Sequence, residues 1–260
     1  MAHEKWKTQS AIMGSGVTDA LVEYAAPRAG MQVLDLACGT GEPGISLAQR
    51  VLPGGSVTAV DLSADSLEVA AQRARSKNLP NFSIHQADAK KLPFPDRGFD
   101  LATCRFGVMY FDDVPQALME LRRVLKPEAR ACFAVWGPFE QPYWETTMMI
   151  AHRHVGGELL EGGDPFRFAV RGSLSQALRA AGFHEVEESE QNVPWTWRGS
   201  AEEVFEYATA ASIPFRAMLD RVPADSWPAV RDEVHAAINR YRVGDEIRFG
   251  AVVVLASGKA

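Results

Sequence analysis

Residues 33–44 read Val33-Leu34-Asp35-Leu36-Ala37-Cys38-Gly39-Thr40-Gly41-Glu42-Pro43-Gly44. The run from Met31 to Ala37 is short and apolar apart from Asp35, the pattern of a parallel strand buried on both faces. Glycines follow, and then Ile45 to Arg50 reads as a helix. A strand that turns through Gly39 and Gly41 into a helix brings backbone close to a ligand with no Cβ in the way. Gly39, Gly41 and Gly44 also satisfy G-x-G-x-x-G, the pattern of a dinucleotide site. Two acids qualify that pattern. Asp35 lies at the strand end, four residues before Gly39, where a carboxylate opposes a pyrophosphate and favours a ligand carrying positive charge. Asp61 lies at the end of the next strand, twenty residues after Gly41, where it can accept hydrogen bonds from two ribose hydroxyls. Its plainer role is a cap on the helix that follows.

Working outward, the alternation of elements continues. A leading helix is expected over about 10–27, within a segment 1–29, with Val17, Leu21, Val22 and Tyr24 at helical spacing and Pro27 as its stop. Strands are expected at 56–60, 81–86, 99–104, 130–136, 183–190 and 247–257. Helices are expected at 63–77 with Ser63 as N-cap, 114–125 and 173–181. With the strand at Met31–Ala37 this makes seven strands. Strands alternating with helices give an α/β chain with a doubly wound parallel sheet, read as one domain over 1–260. Two stretches, 138–170 and 191–245, interrupt the alternation as helical inserts, with breaks at Pro214 and Pro223. Inserts after strand ends are natural material for a substrate cap. The alternative is that they cover the sheet edge or mediate a homodimer.

Composition bounds the rest. The 260 residues are 47% hydrophobic and 23% charged, enough to bury a core. A net charge of −6 without a dense Lys/Arg run argues against general nucleic-acid affinity. Cys38, Cys104 and Cys132 each lie in or beside an apolar run, which implies buried, reduced thiols. The N-terminus lacks the apolar core of a signal peptide, and no apolar run reaches membrane-spanning length. A cytoplasmic protein without membrane insertion is the expectation. No zinc pattern, serine triad or P-loop lysine occurs, and no metal is expected.

Four segments carry a family resemblance: VLDLACGTGEPG at 33–44, TAVDLS at 58–63, QADAKKLPFPDRGFD at 86–100 and ELRRVLKPEA at 120–129. In this order and spacing the chain resembles the class I S-adenosylmethionine (SAM)-dependent methyltransferases, in the group typified by ubiquinone and menaquinone biosynthesis. The resemblance is close over roughly residues 30–136 and topological beyond them. It implies a Rossmann-like seven-stranded sheet with an antiparallel last strand, SAM as cofactor and S-adenosylhomocysteine as product. It further implies that Asp35, Ala37, Cys38, Gly39, Thr40 and Gly41 hold the methionine part and Asp61 the ribose. Leu62 would pack on the adenine, and Ala87, Asp88 and Ala89 would contact it, with Asp88 accepting from its amino group and Ala89 offering an N–H. Arg105 and Phe106 would lie beside the methionine and sulfonium. Residues 106–110 read FGVMY where many relatives carry a histidine, so a proton-shuttling histidine there is not supported.

Methyl transfer from a sulfonium is an in-line displacement that needs positioning and exclusion of water more than acid–base help. Should a base be needed, His152, His154 and Tyr110 are candidates. His152 and His154 stand two apart, so a helix would aim at most one of them at a given site. Tyr143, Trp144, Trp195, Trp197 and Phe205 are candidate walls for an apolar or aromatic acceptor, or else simply pack the inserts. The residues after the fourth strand, Cys104-Arg105-Phe106-Gly107, lack the Asn-Pro-Pro-Tyr-like motif of several nucleic-acid and amine methyltransferases. A small-molecule acceptor is therefore expected, with the methylated atom (oxygen, nitrogen or carbon) open. Two other functions stay in view: a nicotinamide-dependent oxidoreductase, from the glycine pattern and Asp61, and a non-catalytic SAM-binding protein.

Overall fold

The computed structural model describes residues 12–160 and 164–260. The start of the expected leading helix, through residue 11, and residues 161–163 of the first insert lie outside them. Eight strands form one mixed sheet: β1 Gln32–Leu36, β2 Ser56–Asp61, β3 Phe82–Gln86, β4 Phe99–Arg105, β5 Leu125–Trp136, β6 His184–Arg198, β7 Arg242–Val243 and β8 Glu246–Lys259. Their order is β3-β2-β1-β4-β5-β8-β6, with β7 pairing only β8. β1 pairs in parallel with β2 and β4, β2 with β3, and β4 with β5, while β5 pairs antiparallel with β8. The doubly wound α/β sheet with an antiparallel last strand is thus as expected. Among the described residues the strand count is eight rather than seven. β7 is two residues long, too short for any periodicity to register, and forms a hairpin with the start of β8 (Arg242↔Ile247).

The chain divides into two compact units. The first, the sheet unit, holds Thr18–Trp136, Phe168–Gln191 and Val253–Ala260. Its central strand β1 is buried along Val33–Leu36, as the unbroken apolar run requires. The helix Ala64–Ser76 starts at Ser63, whose hydroxyl accepts the Ser66 N–H at 3.2 Å, and lies on β2 and β3. The helix Val114–Val124 buries Val114, Ala117, Leu118, Leu121 and Val124, one face at i, i+3, i+4 and i+7 spacing, and packs on β5. Asp113 caps it by accepting the Gln116 N–H at 3.0 Å.

The second, the insert unit, holds, among the described residues, those in 12–17, 137–160, 164–167 and 192–252. Its helices include Pro142–Thr146, Met148–Val155, Ala201–Ala211, Arg216–Asp220 and Trp227–Asn239. The last of these packs on Met148–Val155 and Ala201–Ala211. Ser200 and Glu203 form a reciprocal capping box at the start of Ala201–Ala211. Pro214 falls in a short 3-10 turn, Ile213–Phe215, and Pro223 between two helices, which accounts for both breaks. β6 runs on to Arg198, beyond the expected 183–190, because Val193, Trp195 and Trp197 alternate as buried residues along it.

Candidate functional site

A cleft of about 410 Å³ opens in the sheet unit across the carboxyl ends of β1, β2, β3 and β4. This is where parallel sheets place ligands. Leu36 and Ala37 line it from β1, Val60, Asp61 and Leu62 from β2, Ala87 to Lys90 from β3, and Phe106 and Gly107 from β4. Tyr110, Phe111 and Asp112 complete the rim.

The glycine loop leaves β1 through left-handed backbone at Ala37 (φ 54°), Gly39 (φ 52°) and Gly41 (φ 110°). The Cys38 N–H donates to Val60 O at 3.0 Å, and the Gly39 N–H donates to Asp61 Oδ2 at 2.8 Å. A Cβ on Gly39 would meet nothing within 4 Å, whereas one on Gly41 would come 2.7 Å from Ile45 Cδ1. The third glycine serves helix packing instead. A Cβ on Gly44 would lie 2.7 Å from Asp35 Oδ2. The first turn of the helix Gly44–Arg50 already carries an anion: Glu42 Oε2 accepts from the Ser46 N–H at 3.3 Å and from Ser46 Oγ at 2.8 Å. Arg73 fixes that carboxylate at 3.1 Å and donates to Thr40 O at 2.6 Å.

Asp35 is fully buried beneath the cleft and is not part of its wall. Its carboxylate accepts from the Gly44 N–H at 2.9 Å and from Thr103 Oγ1 at 2.8 Å. Thr103 is its register partner on β4. Burial raises the carboxyl to about 7, against the lowering effect of those two bonds and of Arg105. Asp35 therefore holds the loop and the two strand ends together. Cys38, Gly39, Thr40 and Gly41 shape the loop without lining the cleft.

At the end of β2, Asp61 accepts from Gly39 through Oδ2 and from the Ser63 N–H through Oδ1 at 2.9 Å. Each oxygen keeps a further lone pair. Leu62 is 66% exposed beside it, an apolar surface at the mouth of the cleft. Asp88 accepts the Lys90 N–H at 2.9 Å, and the Lys90 ammonium lies 3.6 Å from Asp88 and 2.7 Å from Asp112. Arg105 donates to Thr18 Oγ1 at 3.0 Å and does not line the cleft, whereas Phe106 does. Phe106 also adopts left-handed backbone (φ 57°). Sequence reasoning missed Leu36, Val60, Lys90, Gly107, Phe111 and Asp112 among the lining residues. The first four sat within quoted stretches, whereas Phe111 and Asp112 lie in the turn after them and carry no pattern of their own.

Of the three candidate bases, only Tyr110 lines the cleft; it is 53% exposed. His152 Nε2 lies 2.8 Å from Gly157 O, and His154 Nε2 lies 2.9 Å from Glu233, which also pairs with Arg153. Tyr143, Trp144, Trp195, Trp197 and Phe205 are all buried in the insert unit. Tyr143 meets Trp144, Trp195 and Phe249 at 4.8, 5.9 and 5.8 Å between centroids, and Trp144 stacks on Phe215 at 5.3 Å. Trp197 packs on Tyr207, and Phe205 on Trp227 and His235. Among the described residues, Glu128, His184 and Glu185 form an exposed cluster of metal-ligand type, but Lys259 pairs with both glutamates, as in a surface ion-pair network. All three cysteines are free and buried, and burial pushes the Cys104 and Cys132 thiols up to about 12 and Cys38 further still. Among the described residues no helix is long and apolar enough to cross a membrane.

Residues 33–128 match the family model described as "Methyltransferase domain". The chain is 44% identical over 111 residues to a 2-phytyl-1,4-naphtoquinone methyltransferase of Nostoc sp., covering 42% of this chain and 48% of that protein. It thus spans about half the length of the phytylnaphthoquinone relatives it matches. It is 29% identical over 204 residues to nocamycin O-methyltransferase of Saccharothrix syringae, covering 68% and 71% of the two chains. In fold it is similar to phosphoethanolamine N-methyltransferase 2 of Haemonchus contortus solved with SAM, with a TM-score of 0.54 and 17% identity over 94% of this chain and 52% of that one. The cleft, the strand order and these similarities agree: residues 33–128 of this chain match the methyltransferase-domain model, and its sheet has the fold of the similar structure.

Proposed function

We propose that the chain transfers the methyl group of SAM to a small planar acceptor of quinone type. The observation that carries this reading is the cleft at the ends of β1–β4, whose acceptors suit the adenosine of SAM; a dinucleotide shares that adenosine, and the helix end beside the glycine loop separates the two. Asp61 is an acceptor placed for a ribose diol, Leu62 offers an apolar face for a base, and Asp88 is an acceptor for an exocyclic amine. The helix end that would seat a pyrophosphate is already neutralised by Glu42, which disfavours the oxidoreductase reading.

When bound, SAM supplies a methyl group activated by a cationic sulfur. The chain's own part is to hold that end of the cofactor against Ala37, Phe106 and Gly107, to keep water out and to align an incoming nucleophile. Tyr110, on the rim, is the one named base candidate that could receive a proton within this cleft. The quinone-type acceptor is supported by the phytylnaphthoquinone relative; the nocamycin relative, named for O-methylation, supports a hydroxyl as the alternative nucleophile. The buried free thiols support a reducing, cytoplasmic setting.

The test is release of S-adenosylhomocysteine from SAM with reduced naphthoquinones, phenols and amines as acceptors. Turnover with the reduced naphthoquinones is expected. Bound SAM with no release on any ring acceptor would overturn the acceptor assignment and leave a SAM-binding protein.

A further inference from the structure

We propose that Phe106, braced by Trp136, forms an aromatic wall that reads the positive charge on the cofactor's sulfur. The proposal rests on the SAM reading of the cleft. The strand order fixes which end of the cleft is which. Along β3-β2-β1-β4 the groups suited to adenine and ribose, Asp88 and Asp61, stand at the ends of β3 and β2. An extended SAM molecule then places its sulfur toward the ends of β1 and β4, where Ala37, Phe106 and Gly107 line the cleft.

Phe106 is held there against its backbone preference. A non-glycine residue at φ 57° costs conformational energy and persists where its surroundings over-determine it. Three contacts do so here. The Phe106 N–H donates to Ala134 O on β5 at 2.8 Å. Gly107 fits so closely against Ala37 that a Cβ would collide with Ala37 Cβ and approach Cys104 Sγ to 2.9 Å. Trp136, the last residue of β5, stacks on the Phe106 ring with centroids 4.4 Å apart and planes 15° from parallel. Trp136 is only 7% exposed and does not line the cleft. Trp136 is thus a positioning residue, and Phe106 is the ring presented to the ligand.

An aromatic face attracts a cation through its quadrupole, and the attraction strengthens where water is excluded. The sulfonium of SAM carries that charge. After transfer the sulfur keeps the electron pair of the broken S–CH3 bond and is a neutral thioether, so the attraction is lost. The ring therefore favours the charged form alone. Arg105, whose guanidinium lies 6.0 Å from the same ring centroid, is tied to Thr18 and lies in the field of the Asp35 carboxylate. It stays unaltered in the test.

The experiment measures by calorimetry the affinities of SAM, S-adenosylhomocysteine and sinefungin, whose amine puts a positive charge near the sulfur position. The proteins are the wild type, Phe106→Leu, Trp136→Phe and Trp136→Leu. Phe106→Leu and Trp136→Leu should weaken SAM and sinefungin by about 3- to 30-fold and S-adenosylhomocysteine by less than about 2-fold, with Trp136→Phe close to wild type. Fluorinated phenylalanines at position 106 keep the ring's shape while draining its π face, and should weaken SAM stepwise. Equal losses for charged and neutral ligands, or no response to fluorination, would overturn the proposal. A folded wild type that binds no SAM would instead overturn the cofactor reading beneath it.

Discussion

The carboxylate of Asp61 holds the N–H groups of Gly39 and Ser63 and also faces the cleft. Asp61→Ala should weaken SAM binding by about 1–3 kcal/mol, because ribose hydroxyls lose their acceptor; unchanged calorimetric affinity in a folded variant would contradict the assignment. Asp35 has a different signature. Its carboxyl stands at about 7 in the folded chain against an ordinary 3.8. Between those values the folded state keeps a proton that the unfolded state has released. The stability from this group is therefore complete below about pH 4 and is lost as pH rises to about 7, by at most about 4 kcal/mol. Denaturant unfolding of wild type and Asp35→Asn at pH 5 and pH 8 should show the wild type losing ground on the variant at the higher pH. A gap that stays constant or moves the other way would contradict it. Both acids could be found from sequence, since each ends a recognisable strand. That Asp35 lies under the cleft rather than in it could not, because its burial is fixed by Thr103, 68 residues away.

At the scale of the element, the turn from β1 into the helix Gly44–Arg50 carries the argument. Gly39→Val puts a β-branched side chain at φ 52°, into space that no protein atom fills within 4 Å. SAM binding should be lost while the circular dichroism spectrum stays native; normal affinity would remove the loop from the site. The strand-loop-helix was legible because its apolar run, glycines and helix are contiguous. The roles of the other glycines were less so: Gly44 yields to Asp35 and Gly107 to Ala37, both contacts made by strand pairing. β7 and the extension of β6 to Arg198 escaped notice for different reasons. The first is too short to show a period, and the second is interrupted by Pro194, which speaks against a strand except at a sheet edge, where β6 lies.

At the scale of the molecule, each unit has its own core. The insert unit gathers Phe139, Tyr143, Trp144, Phe166, Trp195, Phe215 and Phe249 from distant stretches of chain into one aromatic cluster. The sequence announced aromatic inserts but not whether those rings face a ligand or one another, since that is decided by partners more than fifty residues away. Trp144→Ala should cost about 3–5 kcal/mol of stability in denaturant unfolding, as large-to-small changes in packed cores do. Full stability with altered acceptor affinity would instead place Trp144 against the acceptor. If the inserts select the acceptor, backbone hydrogen exchange in 138–160 and 192–245 should slow when SAM and acceptor bind together; indifference would leave them a fixed layer.

The central claim is that the cleft at the ends of β1–β4 is a SAM site on a glycine pattern that a dinucleotide could also claim. Calorimetric titration of the wild-type chain with SAM and, separately, with NAD tests it most directly. Saturable one-to-one binding of SAM and no detectable heat of binding for NAD are expected. Binding of NAD, or a folded chain indifferent to SAM, would contradict it.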